Sequence, residues 1–231
     1  MINAEIYKFF NNKAIYLSFI IILIYSLFGN LLYYLSNIDI SLMYKDFTNE
    51  YLILYLVVSL FYTSSAISDE YNYYIIPYIK QKGIVRSKVF CLLIIISITQ
   101  IISFVFSNFI TILIFKKSFF TTKIIYLIIK KLLNKLPLII IINLLCLLFS
   151  SVFSKPSTSL IITYFVYGLS DYVNKFFLSK TWQITRYFPS LIWDLEIINK
   201  KINLSLCIVL ILLYILILML MIKLVIKLKK Y

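Results

Sequence analysis

The chain contains no histidine. The side chain that most often serves as general base, proton relay and zinc ligand near neutral pH is therefore missing. Glycine occurs three times and proline four times in 231 residues. Three glycines cannot build a phosphate-cradling loop, and no GxxxxGK[ST] motif is present, which excludes ATP hydrolysis through a P-loop on this chain. So few breakers also favour long, uninterrupted helices. Acids are scarce as well, nine against 23 lysines and arginines. Glu5, Asp39, Asp46, Glu50, Asp69, Glu70, Asp171, Asp194 and Glu196 all fall at the ends of apolar runs or between them. Ion-coupled carriers commonly hold ionisable groups within their spans, so this distribution speaks against a proton- or sodium-driven carrier.

What is abundant is apolar surface: 62% of the residues are hydrophobic and the mean hydropathy is +0.97. A soluble domain of this composition could not cover itself with polar groups. Helices of ~20 apolar residues can cross a hydrocarbon core of roughly 30 Å, and they satisfy their own backbone groups in lipid. The fold expected is all-α, a polytopic membrane protein with six transmembrane helices in a single domain covering residues 1–231. The net charge of +14 alone could suggest nucleic acid. The lysines, however, gather at the ends of apolar runs, where they anchor helices at headgroups and meet anionic lipid. Membrane lipid, and no nucleic acid, is the partner expected. Cys91, Cys146 and Cys207 lie in or beside apolar runs and read as small hydrophobes, with nothing pointing to a disulfide or a metal.

Residues 1–13 place Ile2, Ile6, Phe9 and Phe10 on one helical face, the pattern of a short amphipathic helix lying in the interface. Spans are expected at about 14–35, 51–67, 89–115, 137–153, 158–170 and 204–222. The first apolar run is too long for the core of a signal peptide and no small-residue cleavage site follows it, so it reads as a retained span. The polar stretch 68–88 offers Ser68 as an N-cap, Asp69 and Glu70 in a first turn, and Gly83 past a helix end. Pro77 divides it into two short helices. Residues 116–135, with six lysines, read as an exposed loop leading into an interfacial helix, and Pro137 opens the fourth span. Lys155–Pro156–Ser157 is a tight turn, and 171–203, with Trp182 and Trp193, hugs the membrane surface.

Basic residues mark the cytoplasmic side of short loops. Counted over the whole chain the two orientations divide them evenly. The first loop has one lysine against three acids, whereas 68–88 has four basic residues against two acids, and the C-terminal tail adds Lys223, Lys227, Lys229 and Lys230. Both termini are therefore expected inside, with the lysine cluster at 116–135 an unexplained exception.

Polar residues inside the spans are modest, among them Ser59, Thr63 and Ser64 in the second, Asn143 in the fourth, and Ser159 and Thr163 in the fifth. The third span is the richest in them, and Gln100, Ser103, Ser107 and Thr111 follow helical spacing. Two readings stand: helix–helix hydrogen bonding, at ~0.6 kcal/mol per contact in membranes, or a stripe facing a translocation path. Asp69–Glu70 is the one adjacent acidic pair, and a helix start accounts for it without catalysis.

Ser68-Asp69-Glu70, a tyrosine-rich helix, Pro77 and then Gly83-Ile-Val-Arg86-Ser87-Lys88 opening a long span resemble the ABC-2 type transporter permeases. The resemblance covers the whole chain in layout and about 20 residues in motif. It is nearest to the small permeases of lantibiotic-immunity, bacitracin-resistance and amphipathic peptide-toxin export systems. The family's pattern implies that the segment between spans two and three is a cytoplasmic coupling helix, with Asp69, Glu70, Tyr74, Pro77, Arg86 and Lys88 as ATPase-coupling positions. Tyr73-Tyr74 stands near where the family often has Gly-Thr, a departure at the coupling surface itself. The family further implies no cofactor on this chain, ATP and Mg bound by two copies of a separate ABC ATPase subunit, and pairing with a second permease as a homodimer. It places the protein in the bacterial cytoplasmic membrane as a non-enzymatic exporter subunit. The alternatives are an immunity or assembly factor that works without ATP, and an exporter of drugs or lipid-linked glycans.

Overall fold

The computed structural model describes residues 13–35, 59–64, 122–179 and 204–228, together with positions 7, 11, 56, 94, 98, 101, 102, 105, 106, 109, 110 and 113. All of these are helical except 153–155. Four helices run without interruption: α1 (Lys13–Leu35), α2 (Thr122–Val152), α3 (Pro156–Ser179) and α4 (Leu204–Leu228). Two stretches, Leu133–Val152 in α2 and Ser205–Leu228 in α4, are long and apolar enough to cross a membrane, with mean hydropathies of 2.2 and 3.2.

Helix α2 is the centre of the bundle and packs against both α3 and α4. Ile139, Ile141, Ile142, Leu144, Cys146 and Leu147 are each no more than 1% exposed, so the helix is covered on nearly every side along residues 139–147. It ends where Phe153 donates its N–H to the Phe149 carbonyl, and the chain reverses through 153–155. Pro156 then opens α3 at the position where a missing N–H costs nothing and φ is already helical. The Lys155 carbonyl accepts from the Ser159 N–H at 3.4 Å and from the Thr158 hydroxyl at 2.9 Å, fixing the first turn. So short a connection makes α2 and α3 a helical hairpin.

Helix α4 buries one line of side chains, Cys207, Ile211, Leu218, Ile222 and Ile226, at the four- and seven-residue spacings that keep to one face. Much of the remainder is bare: Val209, Leu212, Leu216, Leu220 and Leu224 are all 56–60% exposed. The same holds for α1, where Ile22 is buried while Ile20, Phe28, Leu32 and Leu35 stand outward.

Several boundaries differ from those expected. The first helix begins at Lys13, one residue early, and ends at Leu35 as expected. The fourth does not open at Pro137. It starts at Thr122 and runs through the lysine-bearing segment and the proline as one helix of 31 residues, so from 122 onward there is no loop. Proline removes the bond that the carbonyl of residue 133 would accept. Leu133 is itself 56% exposed, at the edge of the apolar stretch, where solvent or headgroups can take up that carbonyl. Pro156 and Ser157 belong to α3 and not to the turn before it. Helix α3 continues to Ser179, carrying Asp171 and Lys175 within a helix where a surface segment was expected. Helix α4 starts at Leu204 as expected and extends six residues past 222 to Leu228. Within the expected second and third spans every described position is helical. Tyr7 and Asn11 of the expected interfacial helix are helical and exposed.

Candidate functional site

Where the outside of the bundle is apolar, the contact between residues 59–64 and α2 is polar. Ser59, Thr63 and Ser64 face Asn143, Cys146 and Ser150, and all six are buried. The spacing prepares this. Positions 59 and 63 are one helical turn apart, and 143, 146 and 150 recur at three and four residues, so each set makes one stripe. Small side chains on such stripes let two backbones approach closely, and their polar atoms then meet across the gap.

Asn143 is the hub. Its Nδ2 donates to the Ser59 Oγ at 3.0 Å and to the Ile139 carbonyl at 2.8 Å, so both amide hydrogens are used. Its Oδ1 lies 3.1 Å from the Thr63 hydroxyl. That hydroxyl has one proton and three acceptors in reach, the other two being the Ser59 and Leu60 carbonyls at 3.2 Å. Ser59 accepts from Asn143 and donates to the Leu56 carbonyl at 2.9 Å. One turn on, the Cys146 thiol donates to the Leu60 carbonyl at 3.7 Å. Two turns on, the Ser150 hydroxyl donates to the Ser64 carbonyl at 2.9 Å. Ser64 spends its own hydroxyl on the Phe61 carbonyl. The seam thus ties 59–64 to α2 at three levels, Asn143, Cys146 and Ser150.

Thr163 of α3 also reaches Cys146, and both it and Ser159 are fully buried. Their hydroxyls bond the Pro156 and Ser159 carbonyls of their own helix, at 2.8 and 2.6 Å. Such bonds consume polar groups locally and contribute little to helix association. The Tyr164 hydroxyl is buried with no hydrogen-bond partner among the described residues. Cys146 and Cys207 are not in disulfides and are each 0% exposed. Among the described residues no three potential metal ligands converge.

The site residues anticipated from sequence, namely Asp69, Glu70, Tyr74, Pro77, Arg86 and Lys88 for coupling and Gln100, Ser103, Ser107 and Thr111 for the path, all lie outside the described residues. Sequence reading did pick out Ser59, Thr63, Ser64 and Asn143 as polar residues within spans, but not their partnership across 80 and 84 residues of chain. It passed over Ser150 and Ser151 altogether. The signal for Ser150 was its place on the Asn143–Cys146 stripe.

Chemically, the seam is a set of neutral donors and acceptors whose hydrogen bonds are made. It holds two elements together and contains neither a nucleophile paired with a base nor an ionised group. Comparison of the sequence with models of known protein families and with curated proteins finds no match.

Proposed function

We propose that this chain is the membrane-spanning permease subunit of an ATP-driven exporter, a multi-pass protein of the bacterial cytoplasmic membrane with both termini inside. The observation that carries the reading is the 68–88 pattern: Asp69 and Glu70 opening a polar, proline-divided segment that closes on Arg86 and Lys88 before a long apolar run. In ABC-2 permeases that pattern marks the element on which the ATPase docks. The described structure supports the setting. Its exterior is apolar and its internal contact polar, the arrangement expected of helices solvated by lipid.

On this reading ATP and Mg are held by two separate ATPase subunits, and this chain contributes no ATPase chemistry. Glu70 starts the coupling helix, Pro77 ends it, and Arg86 and Lys88 fix the entry to the third span. The last described turn before that segment, 59–64, is fastened to α2 by the Asn143 seam. Movement imposed on the coupling helix would therefore reach α2 without slack. Two copies of the permease enclose the path.

For the substrate, 39 Phe and Tyr residues offer apolar and π surface, and the spans expected from sequence hold no charged side chain to pair with a charged solute. An amphipathic peptide already partitions into the bilayer and presents a matching surface. Membrane-active antimicrobial or toxin peptides are the class proposed.

The test is to purify the tagged chain from its own membranes and to assay bound ATPase in proteoliposomes. Wild type should retain a P-loop ATPase whose hydrolysis responds to amphipathic peptides. Glu70→Ala and Arg86→Glu should lose most of that response while helical content is unchanged. Absence of any associated ATPase, or an unaltered response in both variants, would remove the exporter reading.

A further inference from the structure

Helix α4 carries no charge from Leu204 to Ile222, and its first is Lys223. That uncharged length is about 28 Å at ~1.5 Å per residue, close to the roughly 30 Å of a hydrocarbon core. Lys223 therefore stands at the edge of the core, and Lys227 about 6 Å farther out, in the headgroup layer. Side chains on a helix lean toward its N-terminus, which brings Lys227 back toward Lys223. The Lys223 stem bends outward to keep its ammonium out of the hydrocarbon. The two charges thus share one layer, a single turn apart.

Both lysines are exposed, and neither has an ion pair or hydrogen bond among the described residues. From residue 197 to residue 231 there is no aspartate or glutamate. At ~100° per residue, Val209, Leu212, Leu216, Leu220, Lys223 and Lys227 fall within an arc of about 80°. The buried line that begins at Cys207 is turned about 140° from the middle of that arc. All four aliphatic members of the arc are more than half exposed. From Leu220 back to Val209 they cover about 16 Å, the hydrocarbon depth of one leaflet. A bare aliphatic track as long as an acyl chain thus ends on two ammonium groups. Those groups repel each other at four-residue spacing, and the helix terminus offers only about half a negative charge against them. A phosphate between them offsets the repulsion through charge-assisted hydrogen bonds.

We propose that Lys223 and Lys227 hold the phosphate of an anionic phospholipid whose acyl chain lies along Leu220, Leu216, Leu212 and Val209. Phosphatidylcholine has the same phosphate, but its own cation competes with the lysines, so the site favours lipids of net negative charge. The proposal rests on α4 crossing the membrane, as in the reading above, and is independent of export. General attraction to an anionic surface is indifferent to which face of the helix carries the lysines, and this site is not.

The test places the purified chain in nanodiscs of phosphatidylcholine alone or with 30% phosphatidylglycerol, and retained lipid is counted by native mass spectrometry. Wild type should retain phosphatidylglycerol in preference to phosphatidylcholine. Lys223→Gln/Lys227→Gln should weaken that retention about 25-fold, about fivefold for each lysine, and Lys223→Arg/Lys227→Arg should keep it. The exchange Lys227→Leu/Leu228→Lys leaves net charge and composition as they are but turns one ammonium about 100° around the helix. It should cost about fivefold. Lys155→Gln removes an exposed charge at the turn between α2 and α3 and should change retention little. Soluble glycerol phosphate should not displace the lipid, because it lacks the acyl chain that lies on the track. An exchange variant that retains phosphatidylglycerol like wild type would overturn the proposal. Lys155→Gln matching the exchange variant, or displacement by glycerol phosphate, would do the same. Equal retention of both lipids by wild type would overturn it too and leave the membrane-spanning reading standing. A chain that stays out of the discs would remove both.

Discussion

Helices α2 and α4 are both long and apolar enough to span a bilayer, yet the less hydrophobic of the two is the more buried. The apolar stretch of α2 has a mean hydropathy of 2.2 and 56% of it is buried, while that of α4 has 3.2 and 22%. In a protein folded in water the ranking runs the other way, because burial removes apolar area from solvent. The reversal assigns different work to the two helices. Helix α2 carries Asn143, Ser150 and Ser151 to the inside, where close packing and side-chain bonds hold partners. Helix α4 presents Leu and Val to whatever surrounds the protein and keeps one narrow line for contact. Exposed apolar area on this scale is not sustained in water, and in lipid it costs nothing.

The largest effect expected from this comparison is on packing. Leu147 of α2 is 0% exposed and Leu212 of α4 is 60% exposed. Leu147→Ala should destabilise the fold by ~2–5 kcal/mol, since the walls around the lost side chain cannot fully collapse. Leu212→Ala should cost under ~0.5 kcal/mol, the range for surface positions, because lipid chains refill the space. Reversible unfolding in mixed micelles measures both. Equal costs would mean that the outer face of α4 is covered by protein.

A somewhat smaller effect separates lipid from water as the surroundings of α4. Leu216 stands near the middle of the 205–228 stretch and is 58% exposed. Leu216→Lys should cost ~2.5–3.5 kcal/mol of membrane insertion. At a water-exposed position the same change would fall within ~0.5 kcal/mol of zero. Glycosylation mapping of α4 in membranes reads the difference, and full insertion of the variant would break the comparison at its root.

What could be read from sequence follows the same divide. The first helix and the start of α4 were legible because each is a single apolar run, and hydropathy is a one-dimensional signal. The start of α2 was not, because lysines and Pro137 read as a loop and a cap when taken locally. Tertiary contact and the tolerance of proline at a membrane edge carried the helix through instead. The extension of α3 past Ser170 was missed for a related reason: Asp171 and Lys175 lower hydropathy without lowering helix formation much. In the seam the individual polar residues were visible, but a pairing between positions 59 and 143 depends on how two helices meet, which periodicity within either one does not encode. The coupling and path residues lie outside the described part of the structure, so their reading still rests on the sequence pattern.

The smallest effect, and the one that sharpens the comparison most, is at Asn143. Its side chain makes two donated bonds and accepts a third, from the Thr63 hydroxyl. A buried asparagine in a water-soluble core would be expensive to replace if its partners were stranded. Here they are not. Without Asn143 the Ser59 hydroxyl still reaches the Leu56 carbonyl, and the Thr63 hydroxyl still reaches the Ser59 and Leu60 carbonyls. Asn143→Leu should therefore cost only about 1–2 kcal/mol, near the sum of bonds worth ~0.6 kcal/mol each in membranes. In a double-mutant cycle, Asn143→Leu with Ser59→Ala should show a coupling of about 0.6 kcal/mol. A control pair on the outer face of α4, Leu212→Ala with Leu224→Ala, should show none, because the two exposed positions stand about 18 Å apart along the helix. Coupling near zero at the Asn143–Ser59 pair would mean that close packing of small side chains holds 59–64 to α2, and that the polar atoms merely find one another once it does.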